Sequence, residues 1–274
     1  MDENLEIVPE RRKRIDIAKL KKTGAVVLPS IFTIANMAFG FFSILSASEG
    51  EYVRASWFLI VSYVMDMMDG RVARLVHGES SFGVEIDSLS DWISFGIAPA
   101  YLIYKFVLKD YGFWGYPVAF LYVLCGALRL ARYNVSSHFG GSSKDYFQGL
   151  PIPAAAGILV SFVLAYSMIE GESGMRGIKI VMDRMSFVYG VVPFIMIALA
   201  LLMVSSAPYA AFKGDMFKFN SIKGILFVTA VLSMIVAFPQ DALFVFFSVY
   251  ALSGVLAGLY GAFRKFFSGK EAAR

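Results

Sequence analysis

Cysteine is almost absent from this chain: the single Cys125 lies inside an apolar run, so no intramolecular disulfide can form and nothing calls for an oxidising compartment. Histidine is nearly as scarce. His77 and His138 are too few to assemble a zinc site or a histidine-activated nucleophile. Charge is sparse as well, with 17% charged residues against 58% apolar ones and a mean hydropathy of +0.65. A soluble domain of that balance would expose too much apolar surface, so the composition points to lipid surroundings. The interleaving of basic and aromatic residues that binds nucleic acid is lacking, and a net charge of +4 does not supply it, so no nucleic-acid partner is expected. There is no internal repeat, low-complexity tract or separable soluble domain.

What the chain has instead is a series of apolar runs. A window suited to a hydrocarbon core of about 30 Å finds eight of them, at approximately 25–47, 55–76, 83–107, 113–132, 151–169, 187–206, 221–238 and 241–263. Residues 1–23 are polar and end in RRKRIDIAKLKK, which reads as a topology signal or as a surface helix drawn to anionic lipid. A signal peptide is not expected, because the run that follows is longer than an h-region of about 7 to 15 residues. With both termini on one side of the bilayer, 19 of the Lys and Arg residues fall on that side and 6 on the other. That asymmetry places both termini and the loop after residue 76 in the cytoplasm. Trp57, Trp92 and Trp114 sit near segment ends and read as interface anchors.

The chemistry concentrates in Asp66–Asp91, DMMDGRVARLVHGESSFGVEIDSLSD. On a helix Asp66, Asp69, Gly70, Ala73 and Arg74 share one face, and Asp87 and Asp91 repeat the pattern at i, i+4. Gly78 can end the first helix and Ser80 or Ser81 can cap the second, so the two acidic faces can meet across a tight turn. Even on a lenient insertion scale one Asp at a helix centre costs about 2.5 to 3.5 kcal/mol in lipid. Four converging carboxylates therefore call for a cation. Hard oxygen ligands in this number suit Mg²⁺, Mn²⁺ or Ca²⁺ rather than zinc, and two divalent ions would balance the charge. Such a pair clamps phosphoryl oxygens during displacement at phosphorus. Gly70 and Gly83 leave room for a bulky phosphate ester, with which Arg74 can pair. The same carboxylates would serve a proton relay, a cation channel or a carrier, but those place acidic groups deep in several helices rather than at the joined ends of two.

The spacing D-x2-D-G-x2-A-R-x8-G-x3-D-x3-D, met by Asp66, Asp69, Gly70, Ala73, Arg74, Gly83, Asp87 and Asp91, resembles the signature of the CDP-alcohol phosphotransferases. The resemblance implies an all-α integral membrane protein with a six-helix core, here 24–206, followed in 207–274 by two extra transmembrane helices and a basic tail. It implies a homodimer as well. By the same resemblance Asp66, Asp69, Asp87 and Asp91 hold Mg²⁺ or Mn²⁺, Asp91 also accepts the proton of the acceptor alcohol, and Gly70, Ala73, Arg74 and Gly83 receive the CDP moiety of CDP-diacylglycerol.

Two further strings bear on the acceptor. ALRLARYN carries Arg129 and Arg132 at i, i+3 with Asn134 behind them, and GLPIPAAAG follows. Both resemble text from the phosphatidylserine-forming branch of the family, which implies transfer of a phosphatidyl group to the hydroxyl of L-serine. Arg129, Arg132 and Asn134 are then expected to orient serine, since arginine pairs with carboxylates in bidentate fashion; snorkelling anchorage is the other reading of the two arginines. A phosphorylated acceptor, as in phosphatidylglycerophosphate or phosphatidylinositol-phosphate synthesis, would ask for more Lys and Arg at the cytoplasmic mouth, and archaetidylserine synthesis remains an alternative of the same chemistry. In the first segment Thr33 and Asn36, at i, i+3, turn a polar face inward, either for an interhelical hydrogen bond or for a place beside the nucleotide. Gly254 and Gly258 form a GxxxG that fits either a dimer face or close packing within the chain.

Overall fold

The computed structural model describes residues 17–76, 81–138, 146–170, 185–210 and 239–271. Long apolar runs without water to satisfy their backbone must bond internally, and the chain does so as helices. They are α1 (Ile17–Ser48), α2 (Tyr52–Val76), α3 (Ser81–Asp91), α4 (Ala98–Phe106), α5 (Gly115–His138), α6 (Ile152–Glu170), α7 (Met185–Val204) and α8 (Pro239–Glu271). A π-helical stretch, Trp92–Ile97, joins α3 to α4, and a 3-10 stretch, Leu108–Trp114, leads into α5. Two three-residue strands, β1 (Tyr146–Gln148) and β2 (Pro208–Ala210), pair antiparallel with Phe147 opposite Tyr209. The described residues are all-α apart from this clasp.

Seven of the eight expected segments coincide with described helices, α3 and α4 together forming the third; the segment 221–238 lies outside the described residues. By length and composition two stretches, Ile31–Ser48 and Leu108–Ser136, are apolar enough to cross a membrane, and Ile152–Ser167, Gly190–Val204 and Ala242–Gly258 are shorter apolar helices.

The hairpin that starts the fold is closed by a Schellman turn. Gly50 adopts φ +85°, its N–H bonds to Ala47 O at 3.2 Å and Glu51 N–H bonds to Ser46 O at 3.0 Å, which satisfies the last carbonyls of α1 and sends α2 back alongside it. At the centre lies α6. Its residues 154–165 are buried all round, as a uniformly apolar helix requires. The small residues of its first turns admit neighbours closely: a Cβ on Gly157 would lie 2.5 Å from the ring of Phe247 on α8. The Gly254 and Gly258 face of α8 is likewise taken up inside the chain, by the Tyr209 ring and by Ala207 and Pro208. The structure thus favours close packing over a dimer face for this GxxxG.

Trp92 corrects another expectation. Its indole N–H donates to Val123 O at 3.2 Å and its ring packs against Gly96, so it joins the π-helical stretch to α5 instead of anchoring at an interface. Trp57 and Trp114 are exposed, as anchors would be.

Candidate active site

Helices α2 and α3 bring their acidic faces together as the spacing predicts. Carboxylate oxygens of Asp66, Asp87 and Asp91 all lie within 4.8 Å of one another. Asp69, one turn beyond Asp66, is near enough for its charge to act on both Asp66 and Asp87. Asp66 and Asp91 approach closely enough for one carboxyl, when protonated, to hydrogen-bond the other. Like charges this close and this poorly hydrated repel by several kcal/mol unless a cation intervenes. The donor set is all carboxylate oxygen, which fits a hard divalent ion, and the cluster can hold one.

Helix α1 supplies the underside. Thr33 Oγ1 donates to Asp69 Oδ2, and Asn36 Nδ2 donates to Asp91 Oδ1 at 3.4 Å. Both residues are buried, and Asn36 is fully enclosed. Its amide oxygen accepts from Ser62, so the orientation that turns the amide N–H₂ toward Asp91 is the one the surroundings enforce. Ser94 Oγ donates to Asn36 O at 2.9 Å and Ser90 Oγ to Thr33 O at 3.0 Å. These bonds tie α1 to the turn after Asp87 and to the π-helical stretch after Asp91. Sequence reasoning missed Ser62, Ser90 and Ser94. Ser62 could have been found one turn before Asp66 on the same face of α2, and Ser94 three residues after Asp91.

A close approach holds this geometry. A Cβ on Gly40 would stand 2.9 Å from Ser94 Cα and 2.4 Å from its Oγ, so α1 and the π-helical stretch touch through the glycine. Single turns of π-helix are frequent at functional sites, and here one follows Asp91 directly. Deeper in the same wall, Tyr63 donates its hydroxyl to Pro153 O, linking α2 to the start of α6. Gly70 is exposed and a Cβ there would meet nothing within 4 Å, so the space beside Asp69 is open. Gly83 is half-buried on α3, whereas the side chains of Ala73 and Arg74 lie outside the described residues.

The three residues expected to orient the acceptor part ways. Arg129 lies within electrostatic reach of Asp91, and its guanidinium stands over the Tyr133 ring at 5.8 Å. Arg132 reaches the other way. Its Nη2 donates to Met203 O at 3.1 Å and Ser205 O at 3.3 Å, capping the C-terminus of α7. Asn134 exchanges hydrogen bonds with Ser88, its Nδ2 donating to Ser88 Oγ at 2.9 Å, and so braces α3 next to Asp87.

A family model described as CDP-alcohol phosphatidyltransferase matches residues 26–257. The chain belongs to the CDP-alcohol phosphatidyltransferase family. Its match runs through the paired carboxylates and on into α8. Among individual members, the chain is 36% identical over 251 residues to a CDP-diacylglycerol–serine O-phosphatidyltransferase of Helicobacter pylori, covering 90% of this chain and 97% of that protein. It is 37% identical over 201 residues to an archaetidylserine synthase of Methanothermobacter thermautotrophicus, covering 71% and 74%. A CDP-diacylglycerol–serine O-phosphatidyltransferase of Methanocaldococcus jannaschii is 30% identical over 236 residues, covering 86% and 96%.

Proposed function

We propose that this family member transfers a phosphatidyl group from CDP-diacylglycerol to the hydroxyl of L-serine, releasing CMP. The observation that carries the reading is the convergence of Asp66, Asp87 and Asp91 within 4.8 Å, an acidic centre for phosphoryl transfer, and Arg129, within electrostatic reach of Asp91, supplies the cation for the serine carboxylate.

Asp66, Asp69, Asp87 and Asp91 hold two divalent ions, Mg²⁺ or Mn²⁺, with Ca²⁺ able to occupy the same oxygens. Bound there, the ions offset charge on the phosphoryl oxygens and the leaving group. Asp91 takes the proton of the serine hydroxyl as the serine oxygen bonds to the lipid-side phosphorus, and the anhydride bond to CMP breaks with its electron pair staying on CMP. Asn36 keeps one oxygen of Asp91 engaged and Thr33 does the same for Asp69. Gly70, Ala73, Arg74 and Gly83 border the CDP moiety, and Thr33 and Asn36 bound it from below through the carboxylates. Arg129 pairs with the serine carboxylate, Asn134 braces α3 beside Asp87, and Arg132 holds the end of α7.

The reading extends to the chain as a whole: a multi-pass membrane protein of eight helices, six forming the catalytic core in 24–206 and two more in 207–274, with a basic arm at 1–23. The site and both termini face the cytoplasm, and the protein works as a homodimer among membrane lipids. Labelled serine with CDP-diacylglycerol and Mg²⁺ or Mn²⁺ tests the activity. Lipid-soluble label appearing with an equal amount of CMP is the expected result, and CMP release with glycerol 3-phosphate but not with serine overturns it. Similarity to the archaetidylserine synthase favours a second donor, the ether-lipid analogue, which the same assay compares directly.

A further inference from the structure

The helix that carries Asp87 and Asp91 changes pitch immediately after them. Asp91 is itself helical (φ −59°, ψ −41°), so α3 runs without a break into the π-helical stretch Trp92–Ile97 and on into α4. The first amide of α4, Ala98 N–H, bonds to Ile93 O, five residues back. Pro99 comes next, buried and without an N–H, and in α-helical spacing it is the residue whose amide would meet Phe95 O. Its ring would also press on that carbonyl, four residues before it. The wider π turn relieves the clash, and Phe95 O takes a donor from another helix.

That donor is on α5. The Tyr122 hydroxyl, fully buried, donates to Phe95 O at 3.2 Å. The next residue of α5 works in the opposite sense: Val123 O accepts the indole N–H of Trp92 at 3.2 Å. The Trp92 ring lies over Gly96, where a Cβ would stand 2.8 Å from it. Consecutive residues of α5 thus hold the π-helical stretch at two points, while Ser94 ties its other side to α1 through Asn36 O. Tyr122 has no part in the chemistry above. A phenylalanine would fill the same space, and a buried hydroxyl costs stability unless it is bonded, so packing alone does not account for the tyrosine.

We propose that Tyr122 is a positioning residue for the reaction: by holding Phe95 O it keeps the stretch after Asp91 in π geometry and so sets the rotation of α3 that brings Asp87 and Asp91 to Asp66. The inference rests on the transferase reading above. A π turn takes one residue more than an α turn, and one residue of a 3.6-residue turn is about 100° of rotation. Reversion to α-helix would turn α3 by that amount against α4, which is fixed in the core by Leu102 and Ile103. Both carboxylates would then leave the place where their oxygens lie within 4.8 Å of an Asp66 oxygen. Pro99 closes the α-helical alternative, and Tyr122 supplies the donor that Pro99 lacks.

The test uses purified full-length protein in mixed micelles. Tyr122→Phe, which removes only the hydroxyl, is expected to lower kcat about tenfold with the KM for serine and for lipid little changed. It should also raise about tenfold the Mn²⁺ concentration that half-saturates the metal-induced rise in melting temperature, the low end for loss of a residue supporting a metal site. Its metal-free melting temperature should fall. Adding Pro99→Ala separates position from stability: the amide restored at residue 99 satisfies Phe95 O in an α turn, so the melting temperature is expected to recover while kcat stays at or below that of Tyr122→Phe. Rate and melting temperature recovering together would make Tyr122 merely structural, and wild-type kcat and Mn²⁺ response in Tyr122→Phe would remove it from the site; either result overturns the proposal. Wild-type protein assayed alongside keeps the two readings apart: serine transfer that the variants match sinks the positioning alone, and no serine transfer with any donor sinks the reaction, leaving the Mn²⁺ response to decide the positioning.

Discussion

Replacing Gly40 with alanine tests whether α1 holds the catalytic turn as described. An ideal Cβ there stands 2.9 Å from Ser94 Cα, where ordinary contact begins at 3.4 Å, so α1 and the π-helical stretch must part by about 0.5 Å. The Ser94 hydroxyl can rotate away from the added methyl, but its Cα cannot. Overpacking of this kind costs about 1 to 3 kcal/mol. Because Ser94 lies three residues after Asp91 and bonds to Asn36 O, the displacement passes to the Asn36–Asp91 contact. A 1 Å misplacement can cost about 100-fold in rate, so half of that on a logarithmic scale is about tenfold. The assay is CMP release by purified protein in mixed micelles, paired with a thermal melt. Gly190→Ala is the control, since a Cβ there meets nothing within 4 Å and the added methyl lowers only the entropy of the unfolded chain. Wild-type rate and melting temperature in Gly40→Ala would show that the two helices do not touch through this glycine.

Asp91→Asn is expected to leave the protein folded and to lower CMP release by about 10²- to 10⁴-fold, the range for loss of a general base; near-normal turnover removes Asp91 from that role. Chelation with EDTA should abolish transfer and Mg²⁺ or Mn²⁺ restore it, with a metal-dependent rise in melting temperature as a readout independent of turnover, and metal-free catalysis would refute the carboxylate centre as an ion site. Arg129→Ala should raise the KM for serine about 10-fold or more while that for the lipid changes little, in line with about 1.5 to 3 kcal/mol for a hydrogen bond to a charged group. Arg132→Ala should chiefly lower the melting temperature, because its Nη2 holds the carbonyls of Met203 and Ser205; an equal rise in serine KM for both variants would give the two arginines one role.

Much of the catalytic centre was legible because its information is local. Two residues three or four apart on a helix share a face whatever surrounds them, so Asp66 with Asp69 and Asp87 with Asp91 could be paired by counting. The turn between α2 and α3 is short, which left the two faces few ways to miss each other. Arg129 and Arg132 show the limit of the same method. Three residues apart, they were read as a pair, yet one guanidinium stands over Tyr133 within electrostatic reach of Asp91 and the other binds the end of α7. Trp92 misled for a similar reason: a residue near a segment end resembles an interface anchor until the partner helix α5 is in place.

Composition and spacing alone determined that this chain is helical, apolar and armed with four carboxylates at the meeting of two helices, because hydropathy and helical periodicity act within a few residues. Only the tertiary structure decided that Thr33 and Asn36 brace those carboxylates and that Gly40 admits the π-helical stretch. Such contacts join residues 36 to 55 positions apart. Their existence depends on which helix faces pack together, a property of the whole assembly of side chains that no local pattern encodes.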